Sequence, residues 1–216
     1  MDGVGFFGVV DIDTEVRDLF IGSGTISGRT GVGAIIGCAN HGVQTEGYIN
    51  IIGCGNKATI KGESNCGGLI GAIFTDKQMN LYIDNCYNMG KIEATKESAA
   101  LCGATKDTAQ ITGSWNSGQV TGYDTNEFFV RGAAGAAHVI IFRNCHNLAS
   151  LTQQKDVNSF TAAEAKNGTL CLKLNGGRSF MVQLLWIQPW LMLWLLTRKW
   201  RTRPICCSPV MLNKAM

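Results

Sequence analysis

Cys66-Gly-Gly-Leu-Ile-Gly71 and, twelve residues further on, Ile83-Asp-Asn-Cys86-Tyr-Asn88-Met-Gly-Lys-Ile92 are the stretches whose reading decides the fold. Both recur. The first returns as GVGFFG, VGAIIG, SAALCG and VRGAAG, closing on Gly8, Gly37, Gly103 and Gly135. The second returns as Cys54-Gly-Asn56, Ser114-Trp-Asn116 and Cys145-His-Asn147. Four residues after each Asn stands one aliphatic side chain: Ile60, Ile92, Val120 and Leu151. A looser first copy places Gly22 at the Asn position and Ile26 at the aliphatic one. Two anchors held in register over five copies, at a spacing of about thirty residues, are the signature of a repeat architecture.

The residues before each second anchor alternate between apolar and mostly polar. Ile49 and Ile51 become Leu81 and Ile83, then Ala109 and Ile111, then Ile140 and Phe142. Period two reads as a half-buried strand. The segment after each Asn alternates as well, and Gly, Asn and Ser punctuate the unit. One such unit cannot bury its apolar face alone; stacked units can, with equivalent residues one above another in parallel strands about 4.8 Å apart. The expectation is an all-β parallel β-solenoid of about five stacked repeats with a short helical C-terminal segment. Ile26, Ile60, Ile92, Val120 and Leu151 should form one core column. Gly24, Ala58, Gly90, Gly118 and Ala149 stay small at a tight corner, and the Asn column suits a left-handed corner.

The runs ending in G-[LI]-[IC]-G, followed by I-x-x-C-x-N-x-G-x-[IV], resemble the GLUG-repeat family of bacterial surface and secreted proteins, over residues 3–152. Copies three and four carry the resemblance best; copy one, with Gly22, and copy five, with RGAAG, depart from it. The stretch Phe160–Asn175 resembles the short module that often follows such repeats. The resemblance implies a cell-surface or secreted location and a role in adhesion or spacing. It carries no catalytic residues with it.

Composition breaks near residue 180. All 27 glycines lie at or before Gly177, the last acid is Glu164, and Pro189, Pro204, Pro209 and four of five tryptophans come after. The organisation expected is a solenoid over 1–152, a capping module over 153–179 and an apolar, basic tail over 180–216. Without the tail, 14 basic side chains face 16 acidic ones, a net charge of −2. A mildly acidic solenoid with no basic stripe excludes nucleic acid as the expected partner. The tail has three readings: a membrane span over 180–196, short at 17 residues against about 20; a hydrophobic end cap; and a shifted reading frame. The third comes first. Met181-Val182 must be encoded ATG-GTN, which reads Trp then Tyr, Phe, Ser or Cys one nucleotide along. No signal peptide precedes the first repeat, so a fragment of a longer exported protein is expected.

The nine cysteines contain no C-x-x-C pair and hence no zinc spacing. Cys54, Cys86 and Cys145 share one repeat position with Ser114, which reads as buried small thiols. Cys145-His146-Asn147 holds the residue types of a thiol protease, but chain neighbours on a strand point to opposite sides. The residues between Cys and Asn form a column, Tyr87, Trp115 and His146, expected to face outward and to offer aromatic faces to a sugar ring. Asp11-Ile-Asp13-Thr-Glu15 lacks calcium-loop spacing and reads as a solvated turn. His41 and His138 stand alone, and Thr161-Ala-Ala-Glu164 fits a helix capping box. The expected function is therefore non-catalytic, without metal or cofactor. A glycan or a host or cell-surface protein is the expected partner, with membrane contact only through 180–196. The alternatives are an accessory segment of a larger secreted hydrolase and a membrane-anchored interaction protein.

Overall fold

The computed structural model describes residues 2–39, 46–73, 78–106, 108–123, 127–133 and 139–176. Gly135, His41, His138, residues 177–179 of the capping module and the whole 180–216 tail, with its three readings, lie outside the described residues. The chain is a parallel β-solenoid of about four turns, with two short helices near its C-terminal end.

The repeats supply strands to four stacked sheets. The glycine runs build the first, from Phe7–Val10, Ile36–Ala39, Ile70–Ile73, Cys102–Thr105 and Val130–Gly132. The alternating strands build the second, from Thr14–Arg17, Glu46–Ile52, Gln78–Asp84, Thr108–Thr112 and Ile140–Arg143. The third holds the Cys-x-Asn anchors: Phe20–Ile21, Gly55–Asn56, Tyr87–Asn88, Trp115–Asn116, His146–Leu148 and Asn158–Phe160. The fourth contains Thr25–Ser27, Thr59–Gly62, Ile92–Ala99, Ser64–Gly67 and Thr30–Gly33, with Val120–Tyr123 paired to Ile92–Ala99.

Register follows the sequence columns. Ile49, Leu81, Ala109 and Ile140 pair in succession, and so do Ile51, Ile83, Ile111 and Phe142. Ile26 pairs with Ile60, Ile60 with Ile92, and Ile92 with Val120. Leu151 completes this column only by packing, from a turn and half-buried, against the same core. The bend residues of the glycine runs, Ile35, Leu69, Leu101 and Phe129, point into that core and are fully buried. Burial of each such side chain contributes about 1.5–3 kcal/mol.

The closing glycines Gly37, Gly71 and Gly103 are required by contact. A Cβ on Gly71 would lie 2.4 Å from the backbone of Gly31 and Val32, and one on Gly103 would lie 2.6 Å from the backbone of Cys66. The first sheet therefore lies backbone-to-backbone against the fourth, where no side chain fits. The small column has the same cause at the next corner: a Cβ on Gly90 or Gly118 would sit 2.0 Å from the carbonyl oxygen of Ala58 or Gly90.

Two expectations are corrected. The left-handed corner is not the Asn column, whose members are extended within the third sheet. It lies three residues earlier, at Gly53, Asn85, Gly113 and Asn144, with φ of 64°, 53°, 57° and 53°. Gly, Asn and Asp reach that region at least cost. In the first copy, Ile21 and not Gly22 pairs with Asn56, because one extra residue separates this strand from the next.

The capping module continues the solenoid. Asn158–Phe160 adds a strand to the third sheet in register with His146–Leu148. Gln154 acts as a further rung on the fifth glycine run: its buried Oε1 accepts from the backbone N–H of Phe129 at 2.6 Å and Val130 at 3.3 Å, and its Nε2 donates to the Val130 carbonyl at 3.3 Å. Such pairing answers the open strand edge that would otherwise invite aggregation.

Ile92→Asp should abolish the cooperative thermal transition followed by circular dichroism, since it buries an unpaired charge in a column shared with both neighbouring coils. Gly71→Ala should lower the urea midpoint more than Ile60→Val, although it adds only a methyl; the reverse order would contradict the close backbone approach.

Candidate functional site

The third sheet carries the Cys-x-Asn anchors, with the middle residue and the asparagine in its strands and the Cys or Ser just before them. Within Cys-x-Asn, the first and third residues face inward and the middle one outward, as the period of a strand demands.

The asparagines form a buried amide ladder. Asn56 Nδ2 donates to Asn88 Oδ1, Asn88 Nδ2 to Asn116 Oδ1, and Asn116 Nδ2 to Asn147 Oδ1, each at 2.9 Å. The second Nδ2 hydrogen goes to the carbonyl two residues on: Ala58 at 3.0 Å, Gly90 at 3.0 Å and Gly118 at 3.1 Å. The N–H of those same residues donates back to each Oδ1 at 2.8–3.1 Å. At the end of the ladder Asn147 Nδ2 donates to the Thr152 carbonyl at 2.6 Å. An amide with both donors and both acceptor positions used is the one side chain that satisfies this buried corner.

Beside it runs a thiol ladder. The Cys54 N–H donates to Cys86 Sγ at 3.4 Å, and the Cys86 N–H donates to Ser114 Oγ at 3.0 Å. Cys86 Sγ in turn donates to the carbonyls of Ile51 and Asp84, at 3.3 and 3.2 Å, and Cys145 Sγ to those of Ile111 and Arg143, at 3.3 and 3.5 Å. Thiol and hydroxyl serve one purpose, joining backbone groups that the left-handed residue turns away from the sheet. Cys38, Cys54, Cys66, Cys86, Cys102 and Cys145 are free and buried. Burial pushes the thiols of Cys66 and Cys102 up to about 12 and that of Cys145 to about 11, so they remain protonated and poorly nucleophilic.

The outward column is brought together as expected: Phe20, Gly55, Tyr87, Trp115 and His146 stand in register. Tyr87 and Trp115 stack at 5.0 Å with their planes 7° apart, and Phe20 lies 6.0 Å below Tyr87. Gly55 makes room for this, because a Cβ there would stand 2.3 Å from the Tyr87 ring. The expected exposure does not hold: Tyr87, Trp115 and His146 are only 8%, 5% and 4% exposed. Two helices, α1 (Ala162–Lys166) and α2 (Thr169–Leu174), cover the column. Leu170 and Leu174 of α2 pack with Tyr87, Trp115 and Phe160, and the Phe160 ring meets Trp115 edge-on at 5.9 Å. The Thr161–Glu164 capping box forms as read. What the sequence did not reveal is that the capping module folds back over this face; Leu170 and Leu174, spaced one helical turn apart, were the available signal.

Two polar groups are trapped under the cover. Trp115 Nε1 is buried without a hydrogen-bond partner. His146 Nδ1 lies 3.1 Å from the Asn144 carbonyl, and burial, then Lys173, hold the imidazole below its usual pKa, against that hydrogen bond and Glu164. Lys173 Nζ pairs with Glu164 Oε1 at 2.6 Å and donates to the Ser159 carbonyl at 3.3 Å, tying the helices to the sheet.

The remaining carboxylates have local roles. Asp11 Oδ1 accepts from the Ile12 N–H, Asp13 Oδ1 from that of Tyr48, and Glu15 pairs with Arg17 and Asn50. Among the described residues no group of three or more His, Cys, Asp or Glu side chains is placed to hold a metal ion. Nor is any helix among them long and apolar enough to cross a membrane. No family model, curated protein or solved structure matches this chain.

Cys86→Ser should change stability by less than about 1 kcal/mol in urea melts, because Ser114 already holds the equivalent place with the same bonds; Cys86→Val, which cannot bond, should cost more. Asn88→Ala should cost at least about 1–3 kcal/mol, since it strands the Asn56 amide and the Gly90 backbone, and Asn88→Asp should not rescue it.

Proposed function

We propose that this chain is a non-catalytic repeat domain of an exported bacterial surface protein, acting in adhesion, display or spacing. One observation carries the reading: the side chains that could do chemistry are used in holding coils to one another. Cys145, His146 and Asn147 divide among three columns, with Sγ on the Ile111 carbonyl, Nδ1 beside the Asn144 carbonyl of its own coil and Oδ1 on the Asn116 amide. A nucleophile, a base and an orienting group are not aimed at one point in space. A rigid stack of near-identical coils suits separation of partners and repetition of weak contacts, where each added site raises effective concentration. The surface location rests on the resemblance of the repeats to the GLUG family. The adhesion role that the resemblance implies supports a cell-surface protein as partner; the glycan alternative rests on the aromatic column, with Tyr87, Trp115 and His146 the residues proposed to meet it.

The test is twofold. The chain displayed on a non-adherent bacterium should raise retention on glycan- or protein-coated surfaces. Purified protein should turn over no peptide, glycan or ester substrate. Turnover abolished by Cys145→Ser or His146→Gln without loss of folding would replace this reading with an enzymatic one.

A further inference from the structure

The aromatic column combines features that a purely structural contact does not need. Its Tyr87 and Trp115 rings stack face to face, its indole N–H is buried and unpaired, and burial holds its imidazole below the usual histidine pKa. A buried donor without a partner raises the free energy of the covered state, and it is relieved when water or a ligand reaches it. The cover is slight. Helix α1 has no buried residue, α2 anchors through Leu170 and Leu174, and each is too short to be stable alone. The chain enters α1 through the cap residue Thr161, directly after Phe160, whose strand is paired into the third sheet, and Gly168, at φ +84°, joins the helices. The helices can therefore leave while the strand stays, as expected of the least stable unit of a structure.

We propose that α1 and α2 are an acid-opened cover over a latent binding platform, Tyr87–Trp115–His146, that accepts a carbohydrate ring. The ligand class rests on the glycan reading above; the opening does not. Once uncovered, the column offers the edges of two stacked rings, an imidazole and an unpaired N–H donor, which match the C–H groups and hydroxyl oxygens of a sugar. Opening follows from charge. A neutral buried imidazole binds fewer protons than one in water, so covering is favoured above the usual histidine pKa and lost as pH falls below it. Protonation also places a cation under the cover beside Lys173. The other titratable group that acts on His146 is Glu164 on α1; Tyr87 stands two rungs away in the column, and Asp84 ends a strand of the second sheet. Lys173 holds Glu164 below the usual carboxylate range, so the tie between the helices outlasts histidine protonation. Tyr87 is raised by burial, away from the acid range. Asp84 is also raised by burial, and the variants below separate its titration from that of His146.

The test uses the full chain with Trp186, Trp190, Trp194 and Trp200 replaced by Phe, so that Trp115 reports alone. Between about pH 7.5 and about pH 5, across the histidine range, acrylamide quenching of Trp115 should rise severalfold with a red shift in emission, while far-ultraviolet circular dichroism of the solenoid holds. His146→Gln should abolish the pH response and Asp84→Asn should preserve it. Leu170→Asp with Leu174→Asp should expose Trp115 at both pH values. Quenching that is flat with pH, or that rises only with loss of the β signal, would overturn the cover. In the opened Leu170/Leu174 variant, cellohexaose and chitohexaose should protect Trp115 from quenching, and the closed protein at about pH 7.5 should show less protection. If the cover opens and neither oligosaccharide protects, the cover stands and the carbohydrate assignment falls.

Discussion

A primary amide sealed inside a protein must place two donors and an oxygen acceptor, and the column Asn56, Asn88, Asn116 and Asn147 does so by handing one hydrogen bond from coil to coil. The rest of the molecule depends on that constraint. The ladder closes only if successive coils are in register to the residue, because a slip of one would turn each amide outward. With register set, the thiol column two residues earlier meets its backbone partners, and the aliphatic column four residues later falls on the core. Polar specificity and apolar burial are thus one device. The apolar core supplies most of the free energy, and the amides choose the arrangement in which it is collected.

The two ends of the stack are treated differently. At the C-terminal end Gln154 imitates a strand, Asn158–Phe160 extends the third sheet, and two short helices fold over its outer face. At the other end Phe6, Phe7, Val9 and Phe20 are exposed, and Ile21 stands where the next coil has Asn56. Asp2, paired with Arg29, and Glu15, paired with Arg17, lie along this edge. Charges on an edge oppose casual strand addition, which exposed aromatics would otherwise encourage. The amide ladder thus begins at the second coil, and the first is held by apolar and main-chain contacts together with the bonds of Asp13 to Tyr48 and Glu15 to Asn50.

Residue identity was a poor guide to chemistry here and repeat position a good one. Three neighbours with the composition of a thiol protease prove to be one member each of three columns, because a strand sends neighbours to opposite faces. Serine replaces cysteine at one rung and keeps two of its bonds, accepting from the Cys86 N–H and donating to the Thr112 carbonyl, which marks the position as a hydrogen-bond adapter. Burial completes the argument, holding the Cys145 thiol near 11. The place where function can reside is instead the outward face, where Tyr87, Trp115 and His146 escape the ladders and meet the cover.

Fold class, repeat boundaries and the core columns were legible in the chain, because a solenoid repeats its environment and so writes each column as a periodic residue choice. Ile49, Leu81 and Ala109, or Ile26, Ile60 and Ile92, needed no coordinates to be aligned. The capping box was legible for a related reason: both of its partners lie within four residues. Tertiary structure decided what depends on contact between segments distant in sequence. It put the left-handed residues at Gly53, Asn85, Gly113 and Asn144, where Asn at one rung and Gly at the next hid a column that the invariant-looking Asn seemed to fill. It also turned an expected open aromatic stripe into a covered one. A strand pattern reports which way Trp115 points, but whether that direction leads to water depends on where Leu170 and Leu174 come to rest, some sixty residues later.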